Sequence, residues 1–391
     1  MKTFSAIALF LTVIVTVLTS WVPERWPTTV PEAAVFAITA VWTLAGLTGL
    51  VRLRFSTVMI PLGLVVVWCA IQIAGGTTAY AWRTNVAMLY WGCNAATFFV
   101  ALQIFASRRI GVSLLHALMF FGLAMSIVGP LQELYGGGKV LWLFEPFPRF
   151  VPQFGPFPYR NQYAAFIELL LPVALFGALT QERRRGVYVV TTAVLYASVI
   201  AAASRMGFVL ATLEMLAVPF IVFWNRKVRF RSLRNNALLF AAIFAMLIVA
   251  AGPSGMLTKF RSPDPYAARR EYSEAGLKMI LARPLTGFGL GNYATVYPGF
   301  AVADDGLHIN QAHNDWVQWA AEGGLPFLAV MLWIALWAAP RALRSGWGAG
   351  VAAVFLHCLV DYPIQRTSVA LVMFIMMAAI ARPPDGADEP A

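Results

Sequence analysis

One short stretch of this chain, residues 308–324, concentrates the side chains that could do chemistry. It reads HINQAHNDWVQWAAEGG and precedes an apolar run that begins at Leu325. Polar and ionisable groups close to a bilayer are costly and tend to mark function. The stretch therefore predicts a polar site at a membrane boundary. Its polar members are His308, His313, Asn314, Asp315, Gln318 and Glu322.

The two histidines of this stretch do not have the spacing of a zinc site. His308 and His313 are five residues apart and so do not share a helix face, and no cysteine lies nearby. We therefore predict no metal site. From Asn314 onward, a spacing of four residues places Gln318 and Glu322 on one predicted helical stripe beside His313.

The composition is that of an integral membrane protein. The 391 residues are 60% hydrophobic and 12% charged, with a mean hydropathy of +0.70, whereas a soluble domain is about 25% charged. Backbone in contact with lipid must satisfy its own hydrogen bonds, so the predicted fold is an all-α transmembrane bundle. Twelve apolar runs have a length near that of a membrane span. They are 4–22, 31–50, 56–74, 85–105, 110–129, 161–179, 187–203, 206–224, 236–252, 324–339, 347–360 and 367–381.

The positions of the basic residues predict an orientation rather than a nucleic-acid surface. The net charge is +11, but lysine and arginine occur in short clusters between the apolar runs. With the N-terminus inside, 16 of the 29 basic residues fall in short cytoplasmic loops, and six of the other 13 belong to one long outer loop. Long loops count little in the positive-inside rule. Both termini are therefore predicted to be cytoplasmic.

This orientation divides the chain into four parts. Residues 1–252 hold spans one to nine, including a Gly- and Pro-rich outer loop at 130–160. Residues 253–323 form a long outer loop that carries the polar motifs, and 324–382 hold the last three spans. Residues 383–391 are predicted to be a disordered cytoplasmic tail. Function concentrates in long loops on a rigid scaffold, so the site is expected on the outer side.

The long loop is predicted to contain a helix. Asp264 followed by Pro265 has the pattern of a helix start, and the helix should end at Ala282 because Pro284 restricts the residue before it. Arg270 has an acidic residue four positions later, whereas Arg269 has Ser273 there. Arg269 is therefore the more available of the two for a ligand, although both stay candidates.

Three arginines are predicted to gather on the outer side. Arg160 starts one span, Arg205 lies in a turn between two spans, and Arg269 lies on the loop helix. The fork of an arginine suits phosphate recognition. Asn161 and Asp361 are predicted at the same level of the membrane.

Five short segments resemble the O-antigen ligase and O-antigen polymerase superfamily. Two of them depart from its pattern: Met206 stands where glycine is common, and Ser273 where tryptophan often follows the arginine. The segments are FPYRNQYAAFIELLLP (157–172), SRMGFVLA (204–211), RREYSEAGLKMILARPLTGFGLGNY (269–293), AHNDWVQWAAEGGLP (312–326) and DYP (361–363).

The resemblance implies a GT-C-like, metal-independent glycosyltransferase with no cofactor. Its donor would be a glycan on undecaprenyl diphosphate at the periplasmic face of the bacterial inner membrane. The acceptor would be a sugar hydroxyl on lipid A–core for a ligase, or on another glycan for a polymerase.

Residue roles follow from the resemblance together with the chemistry of the side chains. His313 would be the base that positions or deprotonates the acceptor, and arginines would hold the diphosphate. The diphosphate ligands would be Arg205 and Arg269, with Arg160 as a third. The supporting residues would be Asn161, Asn314, Gln318, Glu322 and Asp361.

The main alternative from another class is a twelve-span transporter or lipid flippase. Two six-span halves with related hydropathy would indicate it. The chain shows no such repeat, and its outer loop at 253–323 is long for a transporter. Ligase and polymerase are not distinguished by the sequence, nor is the oligomeric state.

Overall fold

The computed structural model describes residues 1–146, 153–226, 237–246, 267–301 and 308–381. Within these ranges the chain forms 14 α-helices. Isolated β-bridges join Val140 to Phe144 and Phe154 to Phe157. The helices are α1 Lys2–Leu18, α2 Trp26–Leu47, α3 Met59–Ala74, α4 Ala81–Phe105, α5 Arg108–Tyr135, α6 Arg160–Thr180, α7 Arg185–Ala201, α8 Arg205–Arg226, α9 Ala237–Met246, α10 Ala267–Ala282, α11 Tyr293–Val296, α12 Asp315–Ser345, α13 Ala349–His357 and α14 Thr367–Ile380.

The all-helical prediction is confirmed for the described residues. Six of their helices (α2, α4, α5, α6, α8 and α12) are long and apolar enough to cross a membrane, and five shorter helices are also apolar. A helix satisfies its own backbone hydrogen bonds, which is what an apolar solvent requires. The chain is therefore a multi-pass helical membrane protein, while the number of twelve spans stays a prediction.

Most predicted boundaries lie close to the observed ones. The span predicted at 161–179 is the helix Arg160–Thr180. The loop prediction at 130–160 is wrong at its start, because α5 continues to Tyr135. Its apolar side chains and its contacts with neighbouring helices outweigh the cost of one proline in the helix. The predicted tail at 383–391 lies outside the described residues.

Helix α6 lies at the centre of the bundle. The apolar part of this helix is 89% buried, and α7, α8 and α13 pack around it. A helix that is hydrophobic on all sides is buried by its neighbours, and α14 is buried in the same way from Ser368 to Ile380. The first turn of α6 therefore has a fixed position at one end of the bundle, which we call the site end.

The segment from α10 to the start of α12 has a small apolar core of its own. Three aromatic rings of this core meet, with Tyr272 and Tyr293 each within 6 Å of Tyr297. This core makes the described residues 267–301 and 308–314 a folded cap on the site end. Its buried members are Tyr272, Ala275, Met279, Phe288, Tyr293, Tyr297, Ala312 and Ala321.

The cap is joined to α12 where this helix kinks. Gly324 has φ +73° inside α12, so the regular backbone hydrogen bonding of the helix is interrupted there. The freed backbone groups bond instead to residues 284–293, which we call the glycine-rich segment. Leu325 N donates to Pro284 O over 2.7 Å, and Gly289 N donates to Glu322 O over 2.9 Å. Gly287 is pressed against this kink with φ +61°, and a Cβ on it would lie 2.3 Å from Glu322 O.

We predict that Gly287→Ala destabilises the protein by about 1–3 kcal/mol, since alanine disfavours a left-handed backbone. The measurement is the thermal unfolding temperature of the full chain in detergent. Gly299→Ala is the matched control, because a Cβ there meets nothing within 4 Å. Equal unfolding temperatures for the two variants would contradict the packing of the cap on α12.

Candidate active site

A buried carboxylate, Asp361, connects the bundle to the cap. It follows α13 and is 4% exposed. Its Oδ2 accepts a hydrogen bond from Asn161 Nδ2 and lies 3.2 Å from Arg269 Nη2. Its Oδ1 accepts from the backbone N–H of Tyr362 over 2.9 Å and lies 3.4 Å from His313 Nδ1. Three residues that are far apart in sequence, Asn161, Arg269 and His313, thus meet at one side chain.

Asn161 is held by the turn that carries Arg205. The Ser204 hydroxyl donates to Asn161 Oδ1 over 2.8 Å and accepts from Gly207 N over 3.2 Å. Arg205 is the first residue of α8, one position after this serine. The start of α6 and the start of α8 are therefore fixed beside each other, and the first turn of α6 reaches Asp361 through Asn161.

His313 has a constrained backbone and ring. Its φ is +50°, a conformation that costs energy for a residue other than glycine and often marks a functional position. The ring packs edge-to-face on Tyr362 at 4.8 Å and tilts against Tyr272 at 5.9 Å. Asp361 beside Nδ1 can stabilise a protonated imidazole, so this histidine can serve as a general base.

A cavity of about 280 Å³ opens beside this histidine. Arg269 and Arg270 line it from the cap, and the turn after α13 closes its other side. It combines cationic groups with a candidate base, which is the combination that an anionic leaving group and a hydroxyl nucleophile require. The lining residues are Arg269, Arg270, Ser273, Glu274, Leu277, His313, Leu359 and Val360.

The neighbours of Asp361 keep it ionised. Burial by itself raises the pKa of this carboxyl, but the imidazole of His313 and the guanidinium of Arg269 outweigh burial and hold the pKa well below its usual range. Arg269 also donates through Nη1 to Val360 O over 2.6 Å. The cap is therefore attached to the bundle by a charged pair and by a backbone contact.

Arg160 also has an acidic partner. Its Nη2 lies 2.6 Å from Glu133 Oε1 near the end of α5, and its guanidinium lies 5.7 Å from the ring centre of Phe154. Two of the three predicted phosphate ligands, Arg160 and Arg269, are thus partly neutralised by carboxylates.

Arg366 is a cation of this region that the sequence analysis did not select. Its Nη2 donates to the Tyr362 hydroxyl over 3.2 Å, and the guanidinium lies 5.1 Å and 5.7 Å from the ring centres of Tyr362 and Tyr159. Burial raises the pKa of Tyr362 to about 12, so the phenol is a neutral partner. The Nε of Arg366 is buried without a hydrogen-bond partner among the described residues. No carboxylate of these residues lies within ion-pair distance of Arg366.

The residues of the predicted polar stripe, Asn314, Gln318 and Glu322, do not line the cavity. Gln318 and Glu322 instead support the cap. Glu322 accepts N–H groups from Gly291 over 2.9 Å and Tyr293 over 2.8 Å, and Gln318 donates to it over 3.2 Å. Asn314 instead caps the helix, since its Oδ1 accepts from Val317 N over 3.1 Å. His308 is exposed and makes no contact with Asp361.

A second buried pair lies beneath the site. His357 Nδ1 is 2.9 Å from Glu168 Oε1, and both side chains are fully buried. The His357 carbonyl accepts the backbone N–H of Asp361 over 3.0 Å, so the pair fixes the turn that presents this carboxylate. Within the described parts of the chain, no group of three or more His, Cys, Asp or Glu side chains is placed to hold a metal ion.

We predict that Asp361→Asn lowers the free energy of unfolding by about 3 kcal/mol at pH 7, because it removes the carboxylate with which Arg269 forms an ion pair. The pKa of Asp361 is depressed in the folded state. Its contribution is therefore complete above the unfolded value of about 3.9 and is lost as the pH falls through the lower folded value. The difference in the free energy of unfolding between wild type and variant should decrease below about pH 4. It is measured by unfolding in detergent at several pH values.

The exposed pair of Glu274 and Lys278, 3.1 Å apart, provides the control for this prediction. Glu274→Gln should change stability by less than about 1 kcal/mol. If the difference in the free energy of unfolding between wild type and Asp361→Asn does not change with pH, the charge of Asp361 is not the source of its contribution to stability.

One family model matches part of this chain. Residues 187–332 match the family model described as O-antigen ligase, and this range contains Arg205, Arg269 and His313. Among curated proteins, no sequence matches this chain significantly. Over residues 187–332, which are less than half of its length, the chain is therefore similar to the O-antigen ligase family.

Proposed function

We propose that this protein transfers a glycan from undecaprenyl diphosphate to a sugar hydroxyl, with lipid A–core as the acceptor. The observation that carries the proposal is the contact of His313 and Arg269 with the one carboxylate of Asp361, beside a cavity that both residues line. A base and a cation held against the same carboxylate suit a reaction between a hydroxyl and an anionic leaving group. The family match supports a ligase or polymerase in general.

The transfer needs one proton acceptor and one site for negative charge. The acceptor oxygen forms a bond to the anomeric carbon of the glycan while the bond from that carbon to the diphosphate oxygen breaks. The hydroxyl proton passes to His313, whose imidazolium Asp361 then stabilises. The electron pair leaves with the diphosphate, whose charge arginine guanidinium groups can balance.

Four arginines are candidates for the diphosphate. Arg205, Arg269 and Arg160 are proposed from the sequence, and Arg366 joins them. A buried cation is costly unless an anion compensates it. The described carboxylates near the site form ion pairs with Arg160 and Arg269, so a bound diphosphate would give Arg366 a direct anionic partner.

The same proposal includes an orientation of the protein in the inner membrane. With the basic clusters on the cytoplasmic side of the inner membrane, both termini are cytoplasmic and the site end faces the periplasm. The donor lipid then reaches the cavity from the outer leaflet, with its chain among the apolar helices and its diphosphate near the arginines.

The acceptor distinguishes this proposal from its nearest alternative. A polymerase of the same superfamily would transfer to another glycan chain, and the family match includes both reactions. The deciding experiment incubates the purified protein with a polyprenyl-diphosphate glycan, with and without lipid A–core. Transfer only to lipid A–core supports the ligase, and a ladder of longer glycans without it supports the polymerase. A protein that moves the lipid without any transfer would be a flippase.

We predict that His313→Ala lowers transfer by about 10²–10⁴-fold, the contribution expected of a general base, while the protein still inserts and folds. His308→Ala is the matched control, because it removes an exposed histidine five residues away. Initial rates and unfolding temperatures should be measured for both variants. Wild-type turnover of His313→Ala, or an equal loss in His308→Ala, would rule out the base assignment.

We predict that Arg366→Lys raises the KM for the donor about tenfold or more, since lysine keeps the charge but loses the planar fork. Arg341→Lys is the control: this arginine also lies on an aromatic ring, 4.4 Å from the centre of Trp337, but near the other end of α12. Donor KM should be measured at saturating acceptor. An unchanged KM in Arg366→Lys would leave diphosphate binding to the other arginines.

A further inference from the structure

A second cavity in the described part of the chain lies away from the proposed active site. It is a groove of about 580 Å³ between the starts of α1 and α5. Its volume is in the range of small-molecule sites. The lining residues are Thr3, Ala6, Ile7, Phe10, Ser107, Arg109, Ile110, Ser113, Leu114 and Ala117.

This groove and the site end lie about one membrane thickness apart. The 24 residues of α5 between Arg109 and Glu133 span about 36 Å at 1.5 Å per residue, and the hydrocarbon core is about 30 Å thick. Glu133 is the partner of Arg160 at the site end. Helix α1 runs in the same direction, since Thr3 and Ser107 line the groove near the two helix starts and Phe10 meets Phe121 of α5 further along both helices, at 6.2 Å. The groove therefore opens near the membrane surface opposite the site.

The lining is divided like an amphiphile. Ser107, Arg109 and Thr3 provide polar groups near the helix starts, and no side chain among the ten lining residues is acidic. Deeper along the helices the lining is mostly apolar, with Ile7 and Phe10, and the hydroxyl of Ser113 donates to Arg109 O within its own helix. The flank continues into exposed apolar side chains, including Ile7 at 55%. One charged end and one apolar channel correspond to a phosphate headgroup and an acyl chain.

We propose that this groove binds an anionic phospholipid, with its phosphate on Arg109 and one acyl chain between α1 and α5. Basic groups at the end of a transmembrane helix attract anionic lipid by about 1 kcal/mol each. A second protein helix is a less suitable occupant, because an arginine at the rim would need an acidic partner from it. A bound lipid fills the space that α1 and α5 leave between them and stabilises their pairing.

The experiment titrates the full-length protein in detergent with phosphatidylglycerol and with phosphatidylcholine of the same acyl chains, and counts bound lipids by native mass spectrometry. Phosphatidylglycerol should bind more tightly. Arg109→Gln should weaken its binding about fivefold, which corresponds to about 1 kcal/mol, and should leave phosphatidylcholine binding unchanged. Arg108→Gln is the matched control: it removes the same charge one residue earlier, but Arg108 does not line the groove. It should change binding less than twofold.

Three results would overturn the proposal. Equal affinity for both lipids would indicate that ordinary bilayer lipid fills the groove. An equal loss in Arg108→Gln and Arg109→Gln would indicate a general surface charge. A change of oligomeric state in Arg109→Gln without a change in lipid binding would make the groove a contact between copies of the chain. Lipid counting needs no glycan transfer, so its outcome is independent of the proposed reaction.

Discussion

The ionised carboxylate of Asp361 is the constraint on which the site depends. A buried charge costs several kcal/mol unless donors and cations surround it. Asn161, Arg269, His313 and the backbone of Tyr362 fulfil this requirement together. None of them can move away without leaving the charge partly unpaired. The carboxylate therefore couples the central helix, the cap and the last helices, which are separated by up to 200 residues of sequence.

The cap keeps its position because its connection to α12 uses backbone groups. Glu322 accepts two backbone N–H groups of the glycine-rich segment, and the kink at Gly324 frees groups for two further bonds. Such contacts depend on backbone geometry more than on side-chain rotamers, so they fix the position of α10 relative to α12. Arg269 then reaches Asp361 although it belongs to a long connection between spans. A long connection can position a site when it packs on the bundle at more than one point.

The sequence predicts the elements better than the contacts between them. Apolar run length locates α6 to within about a residue at each end, because the bilayer selects both composition and length. Residue type also selects Arg269, His313 and Asp361 as members of one region. Their meeting at a single carboxylate is a tertiary result that spacing does not contain. Asn314 shows the limit of periodicity: the spacing of four predicts a helix face, but the residue precedes the helix and caps it.

Arg366 shows why a count of arginines does not identify an anion site. Arg160 and Arg269 have the residue type that suits a phosphate, but each already faces a carboxylate. Arg366 is set among aromatic rings, where a cation gains part of its stabilisation from the ring faces and a neutral phenol takes one of its donors. This environment keeps the charge in place without neutralising it. Arg160 and Arg269 thus differ from Arg366 in having a carboxylate in direct ion-pair contact, and this difference depends on neighbours that only the folded chain brings together.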